Sequence, residues 1–168
     1  MERAAIEEQL EALHPASYAW ALACCRRRAD DAEDVLQIVY LKIIEGKARF
    51  AGRSSMKTWL FSVIRRTAAE HFRWRRLRER FIGERRTPQT SIEVDLQRRE
   101  TTSRILHALA RLSARQREVL ELVFYHDMTI EEAAATLGIS TGSARVHYQR
   151  GKRSLAEQLT KEERLAFA

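Results

Sequence analysis

Apolar positions along the chain recur with a helical period, and no stretch alternates apolar and polar residues long enough to make a half-buried strand. Residues 16–28 are apolar around Tyr18, Trp20 and Leu22 and end in Arg26, Arg27 and Arg28. An acidic turn at Asp30 and Asp31 opens a second helix. Its Val35, Leu36, Ile38, Val39, Tyr40, Ile43 and Ile44 leave a narrow polar face of Asp34, Gln37 and Lys42. A helix that is apolar almost all round packs on several neighbours or offers one face to a partner. Gly46 and Gly52 then punctuate a loop, and Ser54 or Ser55 is placed to cap a long third helix that fades near Gly83. Leu60, Val63, Ile64, Thr67 and Phe72 line or flank its buried side, and Arg65, Ala69, Arg73 and Arg76 line another face. "GERRTPQTSIEVD" has Gly, Pro, Thr and Ser with little apolar content and reads as a linker.

Beyond the linker the start and stop signals are sharper. Ile105, Leu106, Leu109 and Leu112 keep helical spacing. Ser113 and Gln116 form a capping-box pattern before a helix whose apolar side holds Val119, Leu120, Val123 and Phe124. Thr129 and Glu132 repeat the pattern before a short helix through Leu137. Gly138 stops that helix as a left-handed residue would, and Ser140 caps the next. With Ala133 and Ala134 small at the crossing and Ile139 turned to the core, the order of signals predicts a helix-turn-helix. The last helix has an inward stripe of Ala144, Tyr148, Gly151 and Leu155. Its outward positions are Thr141, Ser143, Arg145, Val146, His147, Gln149, Arg150, Lys152 and Arg153. The expected fold is all-α: two small helical domains over 1–82 and 99–168, joined by a flexible linker over 83–98.

Charge changes this picture from a fold to a partner. The formal net charge of the 168 residues is +7, unevenly spread. Residues 1–45 hold 5 basic and 9 acidic side chains, residues 46–90 hold 13 and 3, and residues 91–168 hold 12 and 11. A block with a net charge of +10 implies a polyanion, with nucleic acid ahead of a membrane surface. Residues 140–153 contain four basic residues and no acidic one. A helix that reads the major groove needs that composition, with hydrogen-bonding side chains for base edges and cations for phosphates.

"RRTAAEHFRWRRLRER", residues 65–80, asks for more than phosphate contacts. It interleaves seven arginines with Phe72 and Trp74, and Phe50 and Trp59 lie just before it. Arginines with aromatics suit unpaired strands, where bases stack on rings and cations follow the backbone. Trp59 is divided between that role and the core, whereas Trp74, flanked by Arg73, Arg75 and Arg76, points to a partner.

Three segments in order, "DDAEDVLQIVYLKI", "FAGRSSMKTWLFSVIRRTAAEHFRWRR" and "LSARQREVLELVFYHDMTIEEAAATLGISTGSARVHYQRGKRSL", resemble the successive conserved regions of extracytoplasmic-function (ECF) sigma factors of the sigma-70 superfamily, over about residues 10–160. The resemblance implies a factor that binds core RNA polymerase, directs it to specific promoters and helps open the −10 region. It assigns residues 1–82 to region 2, which binds the polymerase clamp and the −10 element. Residues 99–168 become region 4, which reads the −35 element and touches the flap of the second large subunit.

By the same resemblance Asp34, Gln37 and Ile38 meet the clamp. Phe50, Met56, Lys57, Arg65, Arg66, Arg73, Trp74 and Arg76 serve the −10 DNA, the loop from Phe50 to Lys57 receiving a flipped base. Thr141, Ser143, Arg145, Val146, His147, Gln149, Arg150 and Lys152 serve the −35 DNA. An anti-sigma factor is the further partner implied. Four positions depart from the family pattern: Arg66 replaces a usual Asn, Glu70 an Asp, Ile38 an acidic residue and Val146 a small polar one. These departures bear on base preference and polymerase affinity.

No catalytic residues, metal or cofactor are expected. The chain has no phosphate-binding glycine loop and no converging carboxylates, and the His126–Asp127 pair reads as structural. Adjacent Cys24 and Cys25 lack metal-ligand spacing and read as small buried residues of a reducing compartment. The acidic N-terminus lacks an apolar signal region, and no run approaches a membrane span of about 20 apolar residues. The expected location is therefore the cytoplasm, without membrane insertion. A dimeric helix-turn-helix repressor or activator, or a DNA-processing recombinase or transposase subunit, are the competing readings.

Overall fold

A computed structural model describes residues 3–82 and 107–166, with side-chain surroundings over 5–78 and 107–159. The chain divides into two compact units, Met1–Thr90 and Ser91–Ala168. The linker read over 83–98, and Ile105 and Leu106, lie outside the described residues. Every described regular element is helical.

The first unit is built from α1 (Arg3–Cys24), α2 (Ala29–Ile44) and α3 (Met56–Ile82). Helix α1 is longer than its apolar segment suggested: it runs 22 residues, holds Pro15 within it and ends at Cys24. The three arginines therefore belong to the turn, where Arg26 and Arg27 adopt left-handed φ angles of 54° and 64°. The Arg27 amide donates back to the Leu22 carbonyl at 2.8 Å, which closes the turn.

Trp20, Val35, Val39, Leu60, Phe61 and Ile64 form the centre of this core. The Trp20 and Phe61 rings stack at 5.8 Å and 10°. A buried indole needs an acceptor for its N–H, and Trp20 Nε1 finds one in the Phe61 carbonyl at 3.0 Å. Ser55 is the cap of α3, accepting from the Thr58 amide at 3.1 Å. Gly46 and Gly52 take φ of 70° and 69° in the loop before it, a backbone that a Cβ disfavours.

The second unit holds a helical stretch at 107–111, then α4 (Ala114–Leu120), α5 (Ile130–Leu137) and α6 (Thr141–Ala166). Both capping boxes form. Ser113 and Gln116 exchange hydrogen bonds of 3.4 and 3.2 Å, and Thr129 and Glu132 exchange bonds of 3.1 and 2.9 Å. Gly138 stops α5 in the left-handed region at φ 64°, and Ser140 Oγ accepts from the Ser143 amide at 3.1 Å to open α6.

One expectation fails in this unit. A helix of constant 3.6-residue period would bury Phe124 with Val119 and Leu120. Instead the helix widens into a π-helical turn over Glu121–Tyr125, with the His126 amide reaching the Glu121 carbonyl at 3.2 Å. The extra residue per turn rotates the register. Glu121 and Leu122 turn inward, while Phe124 is 59% exposed and Tyr125 also faces out. His126 is buried, in keeping with its structural reading. Gly151 sits where α6 passes α4: a Cβ there would meet Leu120 Cδ1 at 3.1 Å and Gln116 Cβ at 3.3 Å.

Candidate polymerase and nucleic-acid interfaces

The outward arc of α6 is the simplest of the surfaces. Ala144 and Gly151 are buried, which orients the helix, and Ser143, Arg145, Val146, Gln149, Arg150, Lys152 and Arg153 are exposed on the other side. Thr141 and His147 stand half-buried at the edges of that arc. Lys152 Nζ lies 5.3 Å from the Tyr148 ring centre. Arg145 Nη2 is 3.4 Å from Glu131 Oε1 of α5, a solvent-exposed pair. Such a pair is worth little in water, so it orients the guanidinium without withholding it from a stronger acceptor.

In the first unit, α3 changes character along its length. Leu60, Phe61, Val63, Ile64, Thr67 and Ala68 are buried, whereas Arg66, Arg73, Arg76 and Arg78 are exposed. Trp74 is 69% exposed, so it does not cover the core. Arg65 is half-buried on the flank. Phe72 is half-buried at the flank of the buried side and lies edge-on to His71 with ring centres 5.9 Å apart. Arg75 turns inward to Asp31, with Nη1 2.9 Å from Oδ1 and 2.7 Å from Oδ2. It belongs to the fold and not to the outward cations.

At the start of α3, half-buried Phe50 and Trp59 pack as a tilted ring pair 5.4 Å apart. Lys57 Nζ lies 5.8 Å from the Phe61 ring centre. Met56, placed with the DNA-facing set on resemblance, is 9% exposed. Burial therefore removes it from the accessible surface.

Helix α2 presents Asp34, Gln37 and Ile38 on one exposed side, and the same side continues through Leu41 and Ile44, 56% and 57% exposed. Lys42 is not on that face. It reaches α3, donating to Thr67 Oγ1 at 3.2 Å and Glu70 Oε2 at 2.8 Å. An apolar stripe edged by polar groups and left open on a small domain marks a protein partner. Leu41 was missed in the sequence because a helix with so many apolar positions gives no single period to separate core from stripe.

Among the described residues, no three His, Cys, Asp or Glu side chains group as metal ligands, and no helix is long and apolar enough to cross a membrane.

Comparison with known proteins decides the family. Residues 10–78 match Sigma-70 region 2 and residues 102–155 match Sigma-70, region 4. The chain is 31% identical over 138 residues to the ECF RNA polymerase sigma factor SigX of Bacillus subtilis (strain 168), covering 77% of this chain and 71% of that protein. This chain belongs to the ECF RNA polymerase sigma factors.

A second relative of this sigma factor is the ECF RNA polymerase sigma factor SigC of Mycobacterium tuberculosis (strain CDC 1551 / Oshkosh). It is 30% identical over 138 residues, covering 81% and 74% of the two chains. In structure the factor resembles the sigma factor RpoE crystallised with the anti-sigma factor NepR from Bartonella quintana. The TM-score is 0.74 and the identity 27%, with 92% of this chain and 96% of that one covered. CnrH, solved with the cytosolic domain of CnrY, shares the fold at a TM-score of 0.67 and 22% identity, with coverage of 95% and 90%. The sigma factor described here is thus a promoter-specific initiation factor and not an enzyme.

Proposed function

We propose that this sigma factor grips its promoter in two chemically different ways while its α2 stripe holds the polymerase. In the first unit, Asp34, Gln37 and Ile38, extended by Leu41 and Ile44, dock on the clamp of the largest subunit. The exposed Arg66, Arg73, Trp74 and Arg76 of α3, flanked by Arg65, follow the −10 region, with Phe50, Trp59 and Lys57 at the base of the helix beside the loop that receives an extruded base. In the second unit Arg145, Gln149 and Val146 face base edges of the −35 element. Arg150, Lys152 and Ser143 meet the backbone, with Thr141 and His147 at the rim of the contact. The flap of the second large subunit takes another face of this unit.

Energetics divide the labour. Opening duplex costs about 1.4 kcal/mol per base-pair step, and a base stacked on an aromatic ring recovers roughly 1–3 kcal/mol. Rings on this chain can nucleate melting at one or two steps, and the polymerase supplies the remainder. The factor acts in the cytoplasm, and an anti-sigma factor, a class of partner seen with a structural relative, covers it when it is idle.

The single observation that carries this reading is Trp74, a large aromatic left 69% exposed among arginines. Its removal costs the fold little, because exposed side chains make few core contacts. In the polymerase complex, Trp74→Ala is expected to reduce promoter opening, read as 2-aminopurine fluorescence in the −10 region, while binding to −35 duplex is kept. Equal loss of both overturns the assignment.

A further inference from the structure

Helix α3 is held in two different ways. From Leu60 to Ala68 a stripe of buried side chains seats it in the core. From Ala69 to Arg78 no described residue is buried, and only His71, Phe72 and Arg75 are even half-covered. This second half carries Arg73, Trp74 and Arg76. A helix end without buried side chains frays, and where it frays the seated half no longer fixes the direction of its side chains. Something other than the core must set which way those three residues point.

His71 and Arg75, one turn apart, both end on a single carboxylate. Asp31 lies in the first turn of α2, with its side chain only 8% exposed. His71 Nε2 is 3.3 Å from Oδ1. Arg75 sets Nη1 against both oxygens, at 2.9 and 2.7 Å. Arg28 Nε, from the turn between α1 and α2, meets Oδ2 at 2.8 Å. The Arg75 guanidinium also lies 5.1 Å from the Phe72 ring centre, so the three half-covered residues of this stretch belong to one cluster. A carboxylate in the first turn of a helix is further favoured by the helix dipole. Charge-assisted bonds at a site shielded from water are among the strong ones. A further tie between the helices, Lys42 to Glu70, joins side chains 31% and 50% exposed, and water weakens it.

Residues 71 and 75 lie on one side of the helix, so pinning both to Asp31 fixes the azimuth of residues 73, 74 and 76 on the other sides. We propose that Asp31 is the positioning residue of the −10 surface: it touches no DNA, and by holding His71 and Arg75 it aims Arg73, Trp74 and Arg76. This rests on the reading of α3 as the −10 contact given above.

The test uses the full chain with core polymerase. For Asp31→Asn the expectation is that amide exchange quickens across residues 71–78 and stays slow across 60–68. Core binding, measured by competition with the wild type, changes less than about twofold. Promoter opening falls roughly tenfold or more, as contacts do when their groups lose a fixed geometry. Arg75→Gln reproduces the effect, Arg75→Lys restores part of it, and the double variant Asp31→Asn/Arg75→Gln is no worse than either single one, because both remove the same link. Unchanged exchange at 71–78 overturns the positioning. Parallel loss of core binding and opening, with quickened exchange at 60–68, overturns it in favour of a general structural role. Trp74→Ala, run alongside, separates the two readings. If it leaves opening intact, the DNA-facing reading of α3 fails, and opening that is also intact in Asp31→Asn overturns the aiming role even where exchange has quickened.

Discussion

Arg145 illustrates how a single exposed side chain can be informative. Its pair with Glu131 is 3.4 Å long and open to water, so exchanging the carboxylate for a base edge costs little, and the planar fork suits a guanine. Arg145→Ala is expected to relax preference at one −35 position by about 1–3 kcal/mol, read by competition among single-base promoter variants. A uniform loss across all sequences would make it a phosphate contact.

Cys25 makes the opposite case, in which burial silences a reactive group; Cys24, expected to be buried with it, is only half-buried. Burial, and then the negative charge of Asp31, push the Cys25 thiol up to about 12 from its ordinary 9.0. Only the thiolate reacts. A Cys24→Ser protein is therefore expected to resist iodoacetamide near neutral pH and to label fully in urea; rapid native labelling would contradict the burial. The same shift has a consequence for stability. The folded state keeps the proton above pH 9.0 while the unfolded chain loses it, so this contribution is intact below pH 9.0 and is lost as pH rises toward about 12.

At the scale of elements, α6 passes close to α4 at Gly151. Alanine there would gain the roughly 1 kcal/mol that separates it from glycine in a helix, but its Cβ would meet Leu120 at 3.1 Å. Leu120 and Gln116 must give by a few tenths of an ångström to admit it, and that yielding decides which effect wins. Gly151→Val adds a branch and loses helix propensity, and overpacking of this kind costs about 1–3 kcal/mol. Its melting, followed by circular dichroism, is expected to shift down in the full-length protein, and an unchanged transition would mean that α6 can move away from α4 freely. The π-helical turn of residues 121–125 acts at the same scale. By rotating Phe124 and Tyr125 outward it turns what a helical wheel assigns to the core into surface.

For the whole molecule the decisive quantity is how poorly each grip works alone. One short cationic helix supplies mainly the electrostatic part of duplex binding, with a dissociation constant of about 10⁻⁴–10⁻⁶ M at physiological salt. Specific complexes reach about 10⁻⁸ M or tighter. Fluorescence anisotropy is expected to show weak, salt-sensitive binding of the free protein to promoter duplex and tight, sequence-selective binding once core polymerase is added. A helix-turn-helix repressor would behave in the reverse way, binding its site tightly without help.

Local chemistry was legible in the residues themselves. Ser113 with Gln116, Thr129 with Glu132, and Gly138 after Leu137 each close a hydrogen-bonding or φ requirement within a few residues, and such requirements do not depend on distant neighbours. The +10 block and the acid-free stretch 140–153 likewise announced a polyanion, since charge content survives any fold. What only the tertiary structure decided was direction. Arg75 and Arg76 are chemically alike and adjacent, yet Asp31, 44 residues away, turns one inward and leaves the other outside. Met56 was buried, Leu41 and Ile44 stayed out, and Phe124 was rotated off the core by one widened turn. The reason is the same in each case: a helical period states which residues share a face, and packing partners brought together from remote parts of the chain determine which face is covered.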